Sequence, residues 1–306
     1  MTSAAPATAH ATGRQKLVAH AAMMLFAVLI AGSFSFGAVA TPHIGSAPLN
    51  ALRFVIGAGI MGAFAAALVR GGIGRPKAPW RYLVLGILMA VYFVTMFVAL
   101  AITSPVSTGA VFTLIPLMSG IFGWMLLGQV MRPTVIVSLL LAGSGAIWVI
   151  FGGDVEAILG LRIGRGEMIF FVGCVCHAAY APFVKKLNRG EPVMVFTFWT
   201  LAATALVIAA YGARQIVETD WSALPLVAWA AIAYLAIFTT AGTFFLLQFS
   251  TMRLPAAKVL AYGYLTPAVI ILIEGLLGHG WASASVMAGA LVTVLGLIVL
   301  ALAPDG

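Results

Sequence analysis

A few polar side chains interrupt long apolar runs in this chain. A polar group in hydrocarbon is costly unless partnered, so each marks a candidate site. Glu274 is the one acidic residue well inside such a run, which suits it to proton coupling or to a hydrogen-bonded structural role. Arg53 falls at a similar depth from the same face, so an Arg53–Glu274 pair acting as an outer gate is geometrically open; Arg53 would equally cap a helix end or reach headgroups. Lys258, close after Pro255, can attract a substrate carboxylate or serve as an ordinary interfacial cation. His177 and Tyr180, at i and i+3, share one helical face and would form an aromatic, hydrogen-bonding wall, a proton site or a packed pair. The same spacing joins Tyr92 to Thr95 and Thr240 to Thr243, with Gln248 further along. Tyr262 and Tyr264 precede Pro267, whose ring frees a backbone carbonyl and bends its helix.

Nothing in the chain has the spacing of a catalytic or metal centre. Cys174 and Cys176, two residues apart, point to different helical faces and suit neither a local disulfide nor a shared metal. No H-E-x-x-H, C-x-x-C, G-x-S-x-G or Walker A sequence occurs. Gly57-Ala58-Gly59-Ile60-Met61-Gly62 matches G-x-G-x-x-G, but it lies inside an apolar run and lacks the strand and the soluble βαβ unit that the motif needs. No cofactor, metal or catalytic residue is expected.

The elements that hold these residues follow from composition. Of the 306 residues, 63% are hydrophobic and 8% charged, and mean hydropathy is +1.12. An ordinary soluble domain is about 45–50% apolar and about 25% charged, so an aqueous globule is excluded. A helix needs about 20 apolar residues to cross a bilayer. Charged or Pro/Gly-rich breaks divide the chain into ten such runs: 17–40, 47–69, 82–101, 106–128, 133–151, 168–184, 192–211, 224–249, 257–278 and 282–303. Residues 1–16 read as a disordered tail. An excess of Lys and Arg marks cytoplasmic loops. With the N-terminus inside, Arg14, Lys16, Arg70, Arg75, Lys77, Arg81, Arg132, Lys185, Lys186, Arg189, Arg253 and Lys258 face the cytoplasm, against Arg162, Arg165 and Arg214 outside. Both termini are therefore expected in the cytoplasm. The net charge of +8 belongs to these loops and not to a nucleic-acid partner.

An internal repeat organises the runs. Leu114-Ile115-Pro116 followed by Leu126-Leu127-Gly128-Gln129 recurs as Leu265-Thr266-Pro267 followed by Leu276-Leu277-Gly278-His279, and Pro105 recurs as Pro255. Two five-span halves, 17–152 and 166–303, follow. Five is odd, so the second half enters the membrane inverted, the architecture of alternating-access carriers with a midplane site. Pro116 and Pro267 are then matching hinge candidates. The expected fold is an all-α membrane protein of ten transmembrane helices in two inverted-topology repeats.

The ten spans, the duplicated proline with its Leu-Leu-Gly-polar element, and Leu52-Arg53-Phe54 together resemble the drug/metabolite transporter superfamily of the EamA type, over nearly the whole chain, nearest to bacterial exporters of aromatic and other neutral amino acids. The chain departs from that pattern at Gly128-Gln129 and Gly278-His279, where the family has Gly-Glu. The resemblance implies that spans three, four, eight and nine are central hairpins. Tyr92, Thr95, His177, Tyr180, Thr240, Thr243, Gln248, Tyr262 and Tyr264 would then line the cavity, where rings suit an apolar side chain and hydroxyls an ammonium. It implies a secondary exporter of small amino acids or related metabolites in the inner membrane, competent as a monomer, with a small molecule and the lipid bilayer as its partners. A drug or cationic-metabolite exporter of the same fold is the rival reading. A membrane-embedded enzyme or a channel is further off, because catalytic clusters are missing and an inverted repeat favours a single occluded site.

Overall fold

The computed structural model describes residues 11–40, 42–100, 102–103, 109, 111–161, 163–276 and 281–304, with the backbone alone for 33–35, 37–39, 100 and 274. Every regular element among the described residues is helical. Among the described residues nine helices are long and apolar enough to cross a membrane, and Ile115–Leu127 is a shorter apolar helix. In chain order the spans are α1 (Gly13–Ala40), α2 (Ser46–Leu68), α3 (Trp80–Leu100), α4 (Ile115–Leu127), α5 (Pro133–Ile150), α6 (Arg165–Leu187), α7 (Val193–Tyr211), α8 (Leu226–Thr251), α9 (256–276) and α10 (Ala284–Leu302).

Local chemistry sets the breaks. Gly128 ends α4 in the left-handed region at φ 66°, where a side chain would be strained, and Pro133 opens α5 where its missing N–H costs no helical bond. Ser283 caps α10 by accepting from Val286 N at 3.3 Å. Two spans are not continuous α-helix. In α8, residues Ile237–Gly242 form a π turn; α9 is broken by a 3-10 turn at Tyr262–Tyr264.

The main packing pairs are α3 with α6, α2 with α7, and α5 with α10, followed by α3·α7, α4·α6, α1·α8, α4·α9, α1·α9 and α2·α8. Exchanging each of the first five spans with its counterpart among the last five leaves this set unchanged: α3·α6 becomes α8·α1, α3·α7 becomes α8·α2, and α4·α6 becomes α9·α1. One hydrophobic cluster holds α1–α3 to α6–α8; a second, with Leu139, Ala142, Tyr264 and Leu297, joins α5, α9 and α10. In the α5·α10 pair the backbones nearly touch. A Cβ on Gly145 would lie 2.6 Å from the Gly289 carbonyl oxygen and 2.7 Å from Thr293 N, so only glycine permits this approach. The outer faces of these helices are apolar and exposed, through Val137, Leu140, Leu291 and Ile298, as lipid contact requires.

Several bounds differ from the sequence reading. Residues 13–16, assigned there to the tail, form the first turn of α1, and α6 runs from Arg165 to Leu187 with Pro182 inside it, longer than 168–184. In the fourth run helix is described at 109 and 111–112, a turn follows at 113–114, and the continuous helix begins at Ile115. Two surface helices, Val155–Leu159 and Ala213–Glu218, occupy connections read as plain loops; Asp154 nucleates the first by accepting from Glu156 N and Ala157 N. Pro105, Leu277, Gly278, His279 and Arg162 lie outside the described residues.

Candidate functional site

Tyr92, twelve residues into α3, stacks on His177 of α6, with ring centroids 4.4 Å apart and planes at 18°. Phe112, just before α4, also stacks on His177, with ring centroids 6.3 Å apart. The histidine is 8% exposed, and its Nδ1 has no hydrogen-bond partner. Rings continue from Tyr92 to Phe93 at 5.0 Å, from Phe93 to Phe54 at 5.2 Å, from Phe54 to Phe244 at 5.4 Å and from Phe244 to Tyr180 at 5.9 Å. The result is one aromatic belt crossing from α6 through α3 and α2 to α8 and back to α6. Edge-on and offset ring contacts of this kind contribute about 0.5–1.5 kcal/mol each beyond buried area.

A polar thread runs beside the belt. Thr197 of α7 donates to Gln248 Oε1 at 2.7 Å, and Gln248 Nε2 donates to the Tyr180 hydroxyl at 2.8 Å. Gln248 is 1% exposed, so its amide is satisfied inside the bundle instead of by water. Thr197 lies on α7, Gln248 on α8 and Tyr180 on α6, so the thread ties these three spans together.

Arg53 enters from α2 and is 5% exposed. Its Nε donates to Thr240 Oγ1 at 2.8 Å, and its Nη2 reaches the Thr239 carbonyl and hydroxyl, each at 3.3 Å. Its guanidinium carbon lies 5.0 Å from the Phe93 ring centre and 5.7 Å from that of Phe54. The π turn creates this receptor. Thr240 Oγ1 donates back to Leu235 O, five residues earlier, at 2.9 Å, while Thr243 Oγ1 bonds Thr239 O at 2.7 Å. Arg53 thus meets threonine oxygens of α8; the Glu274 side chain, and with it the expected Arg53–Glu274 pairing, lies outside the described residues.

The other expected residues are placed elsewhere. Thr95 spends its hydroxyl on Val91 O at 2.7 Å and packs against Gly173. Tyr262 meets His20 of α1 at 2.8 Å, and Tyr264 donates to Thr113 O at 2.7 Å within the α5–α9–α10 cluster. Successive positions on a 3-10 turn diverge, so these two tyrosines serve different interfaces and neither joins the belt. Lys258 is 1% exposed and donates to Ala303 O at the end of α10. Pro116 and Pro267 each stand in the first turn of a helical segment, and the break in the α-helical winding of α9 falls at Tyr262–Tyr264, three residues before Pro267.

Both ends of the bundle are fastened. At the end rich in Lys and Arg, fully buried Arg81 donates to the Leu187 and Lys77 carbonyls and pairs with Glu191, which also accepts from Arg189 N at 2.7 Å. Burial pushes the Glu191 carboxyl up, but the bonds from Arg81 and Arg189 outweigh it and hold it below its ordinary value of 4.5. Beside this strap lies a cavity of about 400 Å³, lined by Gln15, Asn188, Glu191, Met252 and Arg253 among others. At the opposite end Thr103 donates to buried Glu167, which also accepts from Gly164 N at 2.9 Å.

The sequence reading missed Phe54, Phe93, Phe112 and Phe244, because nothing marks four phenylalanines among 19. Thr197 and Thr239 were equally silent. Arg81 was read as a loop charge; its position next to Trp80 and Tyr82 at a span end was the only signal of burial.

A bundle of this kind, with apolar outer faces and its polar contacts turned inward, defines a multi-pass membrane protein. The chain belongs to the EamA-like transporter family, which matches residues 17–151 and 164–302, and it is accordingly a membrane transporter. It is 26% identical over 280 residues to the "Uncharacterized transporter YyaM" of Bacillus subtilis (strain 168), covering 89% of this chain and 90% of that protein. It is 23% identical over 187 residues to the "Uncharacterized transporter YvbV" of the same organism, covering 60% and 58%. A solved structure titled "Crystal structure of protein" shares the fold, with a TM-score of 0.72 over 93% of this chain and 95% of that one at 22% identity.

Proposed function

We propose that the chain is a secondary transporter that exports small neutral or aromatic amino acids, or related metabolites, across the inner membrane by alternating access. Its halves, 17–152 and 166–303, would be inverted repeats with both termini cytoplasmic. The observation that carries this reading is the Tyr92–His177 stack, where α3 of one half meets α6 of the other in a belt of rings with a polar thread alongside. Such a seam offers apolar surface to a side chain and hydrogen bonds to a polar head, and it opens if the halves rock apart. The packing set that survives exchange of the halves supports the inverted repeat. The basic-end cavity beside Arg81–Glu191 would serve as the cytoplasmic vestibule. Lys258 and Glu274 remain candidates for gating or coupling, and Pro116 and Pro267 for flanking the hinges.

The test is uptake of labelled phenylalanine, threonine and methionine into proteoliposomes, with and without an imposed pH gradient. Saturable uptake with counterflow is expected of this reading. Transport of cationic drugs alone would move the substrate to the rival class, and non-saturating flux would make the protein a channel.

A further inference from the structure

Arg53 is a nine-tenths buried cation in the middle of an apolar bundle, and among the described residues no carboxylate pairs with it. Its partners are two threonine hydroxyls and one carbonyl, all neutral. Neutral oxygens satisfy N–H donors but leave the charge uncompensated, a state that low-dielectric surroundings disfavour. The three contacts are also one-sided. They use Nε and Nη2, set the guanidinium carbon beside the Phe54–Phe93 ring pair, and leave Nη1 without a bond among the described residues. A planar fork held by one edge, with its other nitrogen free, is prepared for a planar anion. On the same belt, the buried Nδ1 of His177 has no hydrogen-bond partner.

We propose that Arg53 binds the carboxylate of the transported substrate, with Thr239 and Thr240 of the π turn holding the guanidinium in place. This deepens the amino-acid reading and rests on it for the rest of the ligand. The belt of Phe54, Phe93 and Tyr92 receives the apolar portion, and His177 Nδ1, stacked beyond Tyr92 and without a partner of its own, bonds the polar remainder. An uncharged ligand would leave the cation uncompensated and a cationic one would be repelled, so the site selects a carboxylate. The competing role is a structural clamp between α2 and α8, in which Arg53 serves only to hold the π turn.

Three probes that share a phenyl ring separate these roles: 3-phenylpropionate keeps the carboxylate, phenethylamine keeps the ammonium, and L-phenylalanine keeps both. Thermal unfolding of purified protein in detergent is measured with each. For wild type, 3-phenylpropionate and phenylalanine are expected to raise Tm and phenethylamine to leave it unchanged. Arg53→Gln should weaken the apparent Kd for 3-phenylpropionate by at least about tenfold, the loss of about one charge-assisted hydrogen bond. Arg53→Lys should retain part of the response, since it keeps the charge but not the fork. Three outcomes overturn the proposal: phenethylamine stabilising wild type as well as 3-phenylpropionate does, no response of wild type to 3-phenylpropionate or phenylalanine, or an undiminished carboxylate response in Arg53→Gln. If Arg53→Gln does not fold, the wild-type comparison and Arg53→Lys decide. Failure of the amino-acid reading alone looks different: 3-phenylpropionate stabilises in an Arg53-dependent way while labelled phenylalanine does not enter vesicles.

Discussion

The imidazole of His177 lies 4.4 Å from the ring of Tyr92 at 18°, and the two residues come from α6 and α3, the spans whose packing joins the halves of the chain. A stacked pair at such a seam must separate, or carry one half with it, when the halves move. Tyr92→Ala and His177→Ala should therefore change substrate preference in competition uptake more than they lower the amount of folded protein. The stack itself contributes about 0.5–1.5 kcal/mol. In a double-mutant cycle on Tm the two substitutions should be non-additive by roughly that amount, and additive effects would mean that the rings are not coupled.

Gln248 joins Thr197 to Tyr180 at 2.7 and 2.8 Å inside the bundle. Replacement by leucine removes both bonds and strands the Tyr180 hydroxyl where water does not reach, at about 1–3 kcal/mol, while Thr197 keeps the Val193 carbonyl at 2.8 Å. Gln248→Leu should lower Tm clearly, whereas Tyr180→Phe, which removes one bond and keeps the ring against Phe244, should cost less. A Tm for Gln248→Leu equal to wild type would show that the thread contributes nothing.

Acid should release the strap at the basic end. Glu191 lies between α6 and α7, and its carboxyl is held below the ordinary value of 4.5 by Arg81 and Arg189. A carboxyl with a lowered folded-state value contributes stability that is fully present above 4.5 and is lost as pH falls through the lower value. Glu191→Gln should reduce Tm near neutral pH, and the gap to wild type should close as pH is taken below 4.5. A gap that persists unchanged into acid would mean that the ion pair is not its source.

Close approach of α5 and α10 depends on glycine. A Cβ at Gly145 would sit 2.6 Å from the Gly289 carbonyl oxygen, so Gly145→Ala must push the helices apart, at about 1–3 kcal/mol. Gly59 on α2 has nothing within 4 Å of its Cβ position. Gly59→Ala should leave Tm unchanged or raise it. Equal effects at the two positions, read by thermal unfolding in the same detergent, would refute this account of the α5·α10 contact.

The sequence made the spans legible because hydrocarbon admits few polar residues, and apolar runs between charged breaks need no partner to be recognised. The duplicated proline and Leu-Leu-Gly element are the sequence's argument for the proposed division into halves. Individual belt residues such as Tyr92, His177, Tyr180 and Gln248 could be named because they are polar atoms in apolar surroundings. Their partners could not. Spacing on one helix states which face a residue occupies, and says nothing of which helix that face will meet. Depth alone offered Glu274 to Arg53, and nothing in its spacing announced the contacts it makes with Thr239 and Thr240. Tyr262 and Tyr264 were grouped because they are close in sequence, and the 3-10 turn sends them to His20 and to Thr113.

The π turn at Ile237–Gly242 has a consequence for the half of α8 beyond it. A π turn holds one residue more than an α turn, and one residue is worth about 100° of rotation. Thr243 to Thr251 are thus phased about a quarter-turn away from the face that an unbroken helix would present, and Gln248 meets Tyr180 only in that phase. Removing a single residue from this stretch would return the helix to regular winding without taking away any side chain of the belt. The same chemical groups would then be aimed past one another, so the surplus residue acts as a phase adjuster that brings two faces of one helix into register with two different neighbours.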